Sequence, residues 1–167
     1  MSNRPSFSWL GVLLCAALAA SSCGHVDLKA TLDVTDMQTG YYDAGNIEGK
    51  VHLVPSLTFR LHNKSGQSVN AVQLTISFWR TGDDGEYDSI EVRGIGSTDL
   101  AAGASTDPIV ARANHGYNLE GARADFFSHS LFRDVTAKVF ALRGGDIVPM
   151  GEFKLDRRII THELVEK

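Results

Sequence analysis

The densest run of hard oxygen ligands in the sequence is "GDDGEYD", where Asp83, Asp84, Glu86 and Asp88 fall within one turn. Carboxylates this close could hold calcium, but the run lacks the mid-loop glycine and the closing glutamate, in register, of an EF-hand loop. An acidic hairpin tip in water accounts for it equally well. Six histidines, at positions 25, 52, 62, 115, 129 and 162, stand singly, with no second histidine or cysteine two or four residues on; zinc requires several converging donors. "GIGST" holds Gly94, Gly96 and Ser97 in the wrong order for a nucleophile elbow, and no helix follows for a phosphate-cradling loop. The expectation is a chain with no catalytic residue, metal or cofactor.

The two cysteines point elsewhere. Cys15 and Cys23 lie in "LLCAALAASSCGH", after a head with one cation, Arg4, and an apolar core from Phe7 to Ala20. That core has the length of a secretory signal rather than of a bilayer span. The order "LAASSC" resembles a bacterial lipoprotein signal, in which small residues precede a cysteine that becomes the lipidated N-terminus. The resemblance implies that residues 1–22 are a signal peptide carrying Cys15 away, and that Cys23 is the lipid attachment site and the membrane partner's only handle. More than one acyl chain, as that family carries, is what stable attachment takes. Gly24 after the cysteine implies the outer membrane, facing the periplasm. Two other readings stay open: an uncleaved anchor over Pro5–Val26, and an ordinary secreted protein cut after Ala20 or Ser22.

Residues 23–167 are expected to form a single domain. Cys23 is its one cysteine, so no internal disulfide can staple it and its core must hold it. It carries 15 Lys and Arg against 20 Asp and Glu, a net charge of −5 with histidines neutral. Mild acidity without a basic cluster gives no electrostatic footprint for nucleic acid. Asn63-Lys64-Ser65 fits a glycosylation acceptor pattern, which carries little weight in a bacterium.

The elements that must position any site have a period of two. Val26, Leu28, Ala30, Leu32 and Val34 alternate with polar residues and predict a first strand; "MQTGYYDAGNIEGK" reads as a long connection. Pro55 predicts an edge strand bent there, or two short pieces. Leu57, Phe59 and Leu61 alternate next, and then Val72, Leu74, Ile76 and Phe78 oppose Gln73, Thr75, Ser77 and Trp79. "YDSIEVRGIG" starts another strand, "PIVARANHGY" reads as one more, and a short helical crossing is expected within residues 119–132. "DVTAKVFALR" is apolar on both faces and predicts a central strand, with "GGD" turning it into the next. Seven or eight short strands without βαβ alternation predict an all-β, antiparallel, immunoglobulin-like sandwich with one short helix.

The stretch "LTFRLHNKSGQSVNAVQLTISFWRTGDDGEYD", followed by "LAAGAST", resembles the FxLYD-type and related immunoglobulin-like domains of bacterial envelope lipoproteins. The matching positions include Asn63, Ser65, Gly66, Val69, Leu74, Phe78, Leu100, Gly103 and Ser105. This resemblance implies fold and no catalytic residues. Two function classes follow: a non-enzymatic, lipid-anchored cell-envelope module engaging an envelope protein or the wall, or a binder of small ligands or glycans. The binder needs an aromatic platform, for which Tyr41, Tyr42, Trp79, Tyr87 and Tyr117 are available; three on one concave surface favour it and dispersal favours the module. The partner-binding candidates are Trp79, Arg80 and Tyr87, residue types that dominate binding hot spots. Trp79 is expected to point outward, either packed under the 119–132 segment or presented to a partner.

Overall fold

The computed structural model describes residues 27–160. Cys15 and Cys23 lie outside these residues, and with them the signal and anchor expectations. The described chain is a β-sandwich. Its elements are α1 (Leu28–Thr31), β1 (Leu32–Ile47), β2 (Lys50–Asn63), β3 (Val72–Arg80), β4 (Glu86–Ile95), β5 (Ile109–Arg112), β6 (Tyr117–Leu119), a 3-10 helix (Arg123–Ser128), β7 (Val135–Arg143), β8 (Asp146–Lys154) and β9 (Ile159–Ile160). One sheet has the order β5-β2-β1-β9, with β6 also on β2; the other has the order β4-β3-β7-β8. All pairings among the described residues are antiparallel except β9, which runs parallel to β1 through Tyr41–Ile159 and Tyr42–Ile160.

The inward-facing rows meet as the alternation predicts. Leu57, Phe59 and Leu61 of β2 pack against Leu74, Ile76 and Phe78 of β3 and Val135, Ala137, Val139 and Ala141 of β7, all fully buried. β7 is central, between β3 and β8, and the two-residue turn Gly144-Gly145 has positive φ at both positions, the requirement of a type I′ hairpin.

Three expectations are corrected. The strand expected from Val26 to Val34 is not one strand over its described part: Asp27 caps a helical turn, accepting from the Lys29 and Ala30 amides at 3.0 and 3.2 Å, and β1 begins only at Leu32. Leu28 and Leu32 are both buried, and a spacing of four satisfies a helical turn as well as a strand, so the Asp27 cap decides.

The stretch read as a connection is most of β1. Its turn-forming residues sit at register shifts, between Thr35 and Gln38 and between Asp43 and Asn46, where Asp36 (φ 52°) and Gly45 (φ 97°) take left-handed backbone. Glu48-Gly49, again with φ positive at both, turns the chain into β2.

Pro55 lies inside a strand with neighbours on both sides. It pairs with Tyr41 of β1, while on its other flank β6 covers residues 51–53 and β5 covers 56–59, so Pro55 falls in the break between them. Its carbonyl accepts from Ala113 N at 2.9 Å on that flank, which is also where its missing N–H would have pointed.

Candidate functional site

The three candidate residues do not form one patch. Trp79 and Arg80 are adjacent in β3 and therefore project from opposite faces of the sheet. Trp79 stands outward, half-buried: its indole Nε1 donates to Ser77 Oγ at 2.5 Å, and Lys138 Nζ of β7 lies 4.4 Å from the ring centre. The 119–132 segment does not supply its cover.

Arg80 and Tyr87 do come together. The Arg80 guanidinium lies 4.4 Å over the Tyr87 ring and donates through Nε to Asp83 at 2.7 Å, while the Tyr87 hydroxyl donates to the Gly116 carbonyl at 3.0 Å. Tyr87 stacks on Tyr117 with ring centres 6.1 Å apart. Burial raises the Tyr87 pKa against the opposing charge of Arg80.

Behind Tyr87 lies an aromatic box that sequence reading missed. Tyr41 of β1 and Tyr117 of β6 meet Phe127 and Phe132 at 5.3 to 6.3 Å between ring centres, and Phe126 joins them from the 3-10 helix. Phe126, Phe127 and Phe132 of the 119–132 segment are spent here, whereas Leu131 stays exposed. Two Asp–Arg pairs hold the box in place. Arg123 grips Asp43 through Nε at 2.5 Å and Nη2 at 3.3 Å, and Arg157 grips Asp134 at 2.8 and 3.0 Å. Hydrogen bonding to Arg123 and Arg157 lowers the pKa of Asp43 and Asp134 respectively, against the effect of burial. The Tyr117 hydroxyl donates to Arg133 O at 2.7 Å, and its pKa is pushed up to about 12 by burial first and by Tyr87 second. The signal for the box was present only as aromatic pairs, Tyr41-Tyr42 and Phe126-Phe127, whose meeting depends on the β1–β2–β6 topology.

Three of the five aromatic platforms thus cluster, but inside: Tyr41 and Tyr117 are buried and Tyr87 is half-buried. Tyr42 faces Arg112, whose guanidinium lies 3.8 Å over its ring, and Trp79 stands apart. No concave aromatic surface results.

The acidic hairpin carboxylates diverge. Asp83 serves Arg80, and Glu86 accepts from Ser77 Oγ at 2.5 Å. Asp88 reaches into the 114–115 loop, accepting from His115 N at 2.8 Å. Burial works against the Asp88 carboxylate, yet the amides of His115 and Ser89 with Asn114 outweigh it and lower its pKa. Of the described histidines, His52 pairs with Asn118 and His62 with Ser105, His115 lies by Asp88, and His129 accepts from Leu131 N. Among the described residues no group of three or more His, Cys, Asp or Glu side chains is arranged to hold a metal ion.

Asn63 is not available as a glycan acceptor. It is fully buried, its Nδ2 donating to the carbonyls of Gln67, Leu100 and Ala101 at 2.8 to 3.1 Å while its Oδ1 accepts from Ser65.

Open space lies along another side of the sandwich, where the β4 and β5 edges face each other. A cleft of about 490 Å³ runs between the end of β4 and the start of β5, and one of about 430 Å³ is lined by Ile90, Val92, Val110, Arg112 and Asn114. Neither is lined by Trp79, Arg80 or Tyr87. No protein-family model matches the chain, and no curated protein matches it either.

Proposed function

We propose that this protein is a non-enzymatic, lipid-anchored module of the bacterial cell envelope, attached through Cys23 and offering its sandwich as an interaction or structural unit, with the periplasmic side of the outer membrane as its site. The observation that carries the reading is the run "LAASSC" after a short apolar core. Alongside it, Asp27 caps α1, and Lys29 of α1 donates to Met150 O of β8 at 3.2 Å, which ties the first described residues to the sandwich. α1 begins five residues after Cys23, so the proposed anchor and the sandwich are close in sequence.

Membership of the FxLYD-type and related immunoglobulin-like domains is part of the same proposal. It is supported by the way its two signature stretches meet: Asn63 of "NKSG" donates to the Leu100 and Ala101 carbonyls of "LAAGAST", while Ser65 donates to the Asn63 Oδ1. An interaction module is favoured over a ligand binder because the aromatic rings are packed into the box or dispersed, leaving no platform for a sugar or flat ligand.

The deciding experiment is the intact mass and fractionation of the membrane-extracted protein. The expected result is a chain beginning at an acylated Cys23, and a Cys23→Ala variant released from the membrane. A water-soluble mature protein, or a Cys23→Ala variant that stays equally membrane-bound, overturns the reading.

A further inference from the structure

The sandwich protects its sheet edges unequally. β8 carries Pro149 and is flanked by α1, β9 is two residues long, and β5 is four residues long. β4 is different: a ten-residue edge strand with no proline and, among the described residues, no helix packed along it, the β5 edge facing it across the cleft. Long exposed edges are templates for another strand.

The open backbone groups of β4 follow from its pairing. Even-numbered residues of β3 face β4 and odd-numbered ones face β7, as the bond from Thr81 N to Asp134 O shows at the end of the ladder. In β4 the even residues Asp88, Ile90 and Val92 therefore bond to β3, and the odd residues point to the free edge. Ser89 O on that edge is met by Asn114 Nδ2 at 3.4 Å. The stretch left open is Glu91 to Arg93.

We propose that this edge pairs with the same edge of a second copy of the chain, antiparallel about a two-fold axis through Val92. This goes beyond the envelope reading and does not depend on it. In that register Glu91 of each copy lies directly opposite Arg93 of the other, on the outer face, and the two Val92 side chains meet on the inner face. Each Glu91–Arg93 pair is also a hydrogen-bonded pair, giving about four main-chain hydrogen bonds across the axis. Shifting the axis to residue 91 sets Glu91 against Glu91, and shifting it to residue 93 sets Arg93 against Arg93, so charge selects the register between them. Arg93 is exposed and makes no ion pair among the described residues, and Glu91 is held only by neutral Gln73 at 2.8 Å. Val92, half-buried, lines the clefts on both sides of the strand and is the apolar surface the pairing covers.

The test is charge swapping, read by sedimentation equilibrium of the full-length chain in density-matched detergent. The wild type is expected to dimerise reversibly within about 10–500 µM. Glu91→Arg alone and Arg93→Glu alone are each expected to weaken self-association at least tenfold. An equimolar mixture of the two is expected to pair again, because position 91 of one then complements position 93 of the other in both directions. A cross-linking arm is independent of those variants: in a Cys15→Ser, Cys23→Ser background, Val92→Cys is expected to form a disulfide dimer on mild oxidation, and Asp107→Cys is not. A wild type that stays monomeric through this range overturns the proposal. So does a dimer indifferent to the swaps, or a mixture that fails to associate while both variants retain the wild-type circular dichroism.

Discussion

Asn63 Nδ2 stands 3.1 Å from the carbonyl oxygen of Leu100, joining the end of β2 to a corner that follows 37 residues later. The same carbonyl accepts from Val69 N at 3.0 Å, and Leu100 N donates back to Val69 O at 2.8 Å. One buried amide therefore ties the turn after β2, the approach to β3 and the corner after β4 into a single joint. Replacing Asn63 by Ala leaves buried carbonyls short of donors, and a loss of about 2–4 kcal/mol in unfolding free energy is expected from urea titration. Ser68→Ala removes one exposed bond, to Asp99 at 2.9 Å, from the same neighbourhood and should cost under about 0.5 kcal/mol. Equal costs for the two would show that the joint does not depend on the buried amide.

What was legible in the sequence follows from which face each strand buries. β3 and β7 are buried on one face over their whole length, and their alternation can be read directly; so can the outward direction of Trp79. β1 was illegible because its Gly, Asp and Asn residues serve bulges rather than a loop. Gly40 is a further case: a Cβ there would lie 2.9 Å from both Arg158 O and Ile160 Cγ1, so the glycine admits β9 beside β1 rather than breaking the strand. The aromatic box was illegible for another reason. Its members come from β1, β6 and the segment around the 3-10 helix, and no local period links residues whose contact is made by topology.

Trp79 and Lys138 test the outer face of the four-stranded sheet. They sit on neighbouring strands, with Thr136 directly opposite Trp79 and Lys138 one diagonal step on. A double-mutant cycle with Trp79→Leu and Lys138→Gln is expected to give a coupling of about 0.5–1 kcal/mol. With Trp9→Phe, so that one indole emits, acrylamide quenching of Trp79 should rise when Lys138 is replaced. A coupling of zero with unchanged quenching would remove the contact from any account of this face.

Tyr41 and Tyr117 share the aromatic box but differ in what their hydroxyls do. Tyr117 donates to Arg133 O, whereas the buried Tyr41 hydroxyl has no hydrogen bond of normal geometry. Burial raises the pKa of both, so both remain neutral phenols at physiological pH. Tyr117→Phe leaves a carbonyl without its donor and should cost about 1 kcal/mol; Tyr41→Phe removes an unsatisfied polar atom and should be neutral or stabilising. Thermal melts of the two variants at one pH check the order, and a larger loss for Tyr41→Phe would contradict it.

Acid should loosen the box from outside. Asp43 and Asp134 have pKa values held below the ordinary carboxylate value of 3.8, each by hydrogen bonding to an arginine, and Asp88 is held below it by the 114–115 loop. A lowered folded-state pKa means that the unfolded chain binds more protons, so stability rises with pH through this region. The contribution is complete above the unfolded carboxylate pKa, about 3.9, and is lost as pH falls through the lower folded values. The urea midpoint is therefore expected to hold steady from about pH 7 to 5 and to drop steeply below about pH 4. Asp134→Asn removes one titrating group and the charge that Arg157 and Lys154 share, lowering stability at neutral pH while flattening the acid slope. Because Arg157 also lies 5.5 Å over the Phe132 ring, its release should reach the aromatic box, seen as loss of near-ultraviolet circular dichroism at acid pH before the far-ultraviolet strand signal falls. An acid slope in Asp134→Asn as steep as in the wild type would assign the acid sensitivity to other carboxylates.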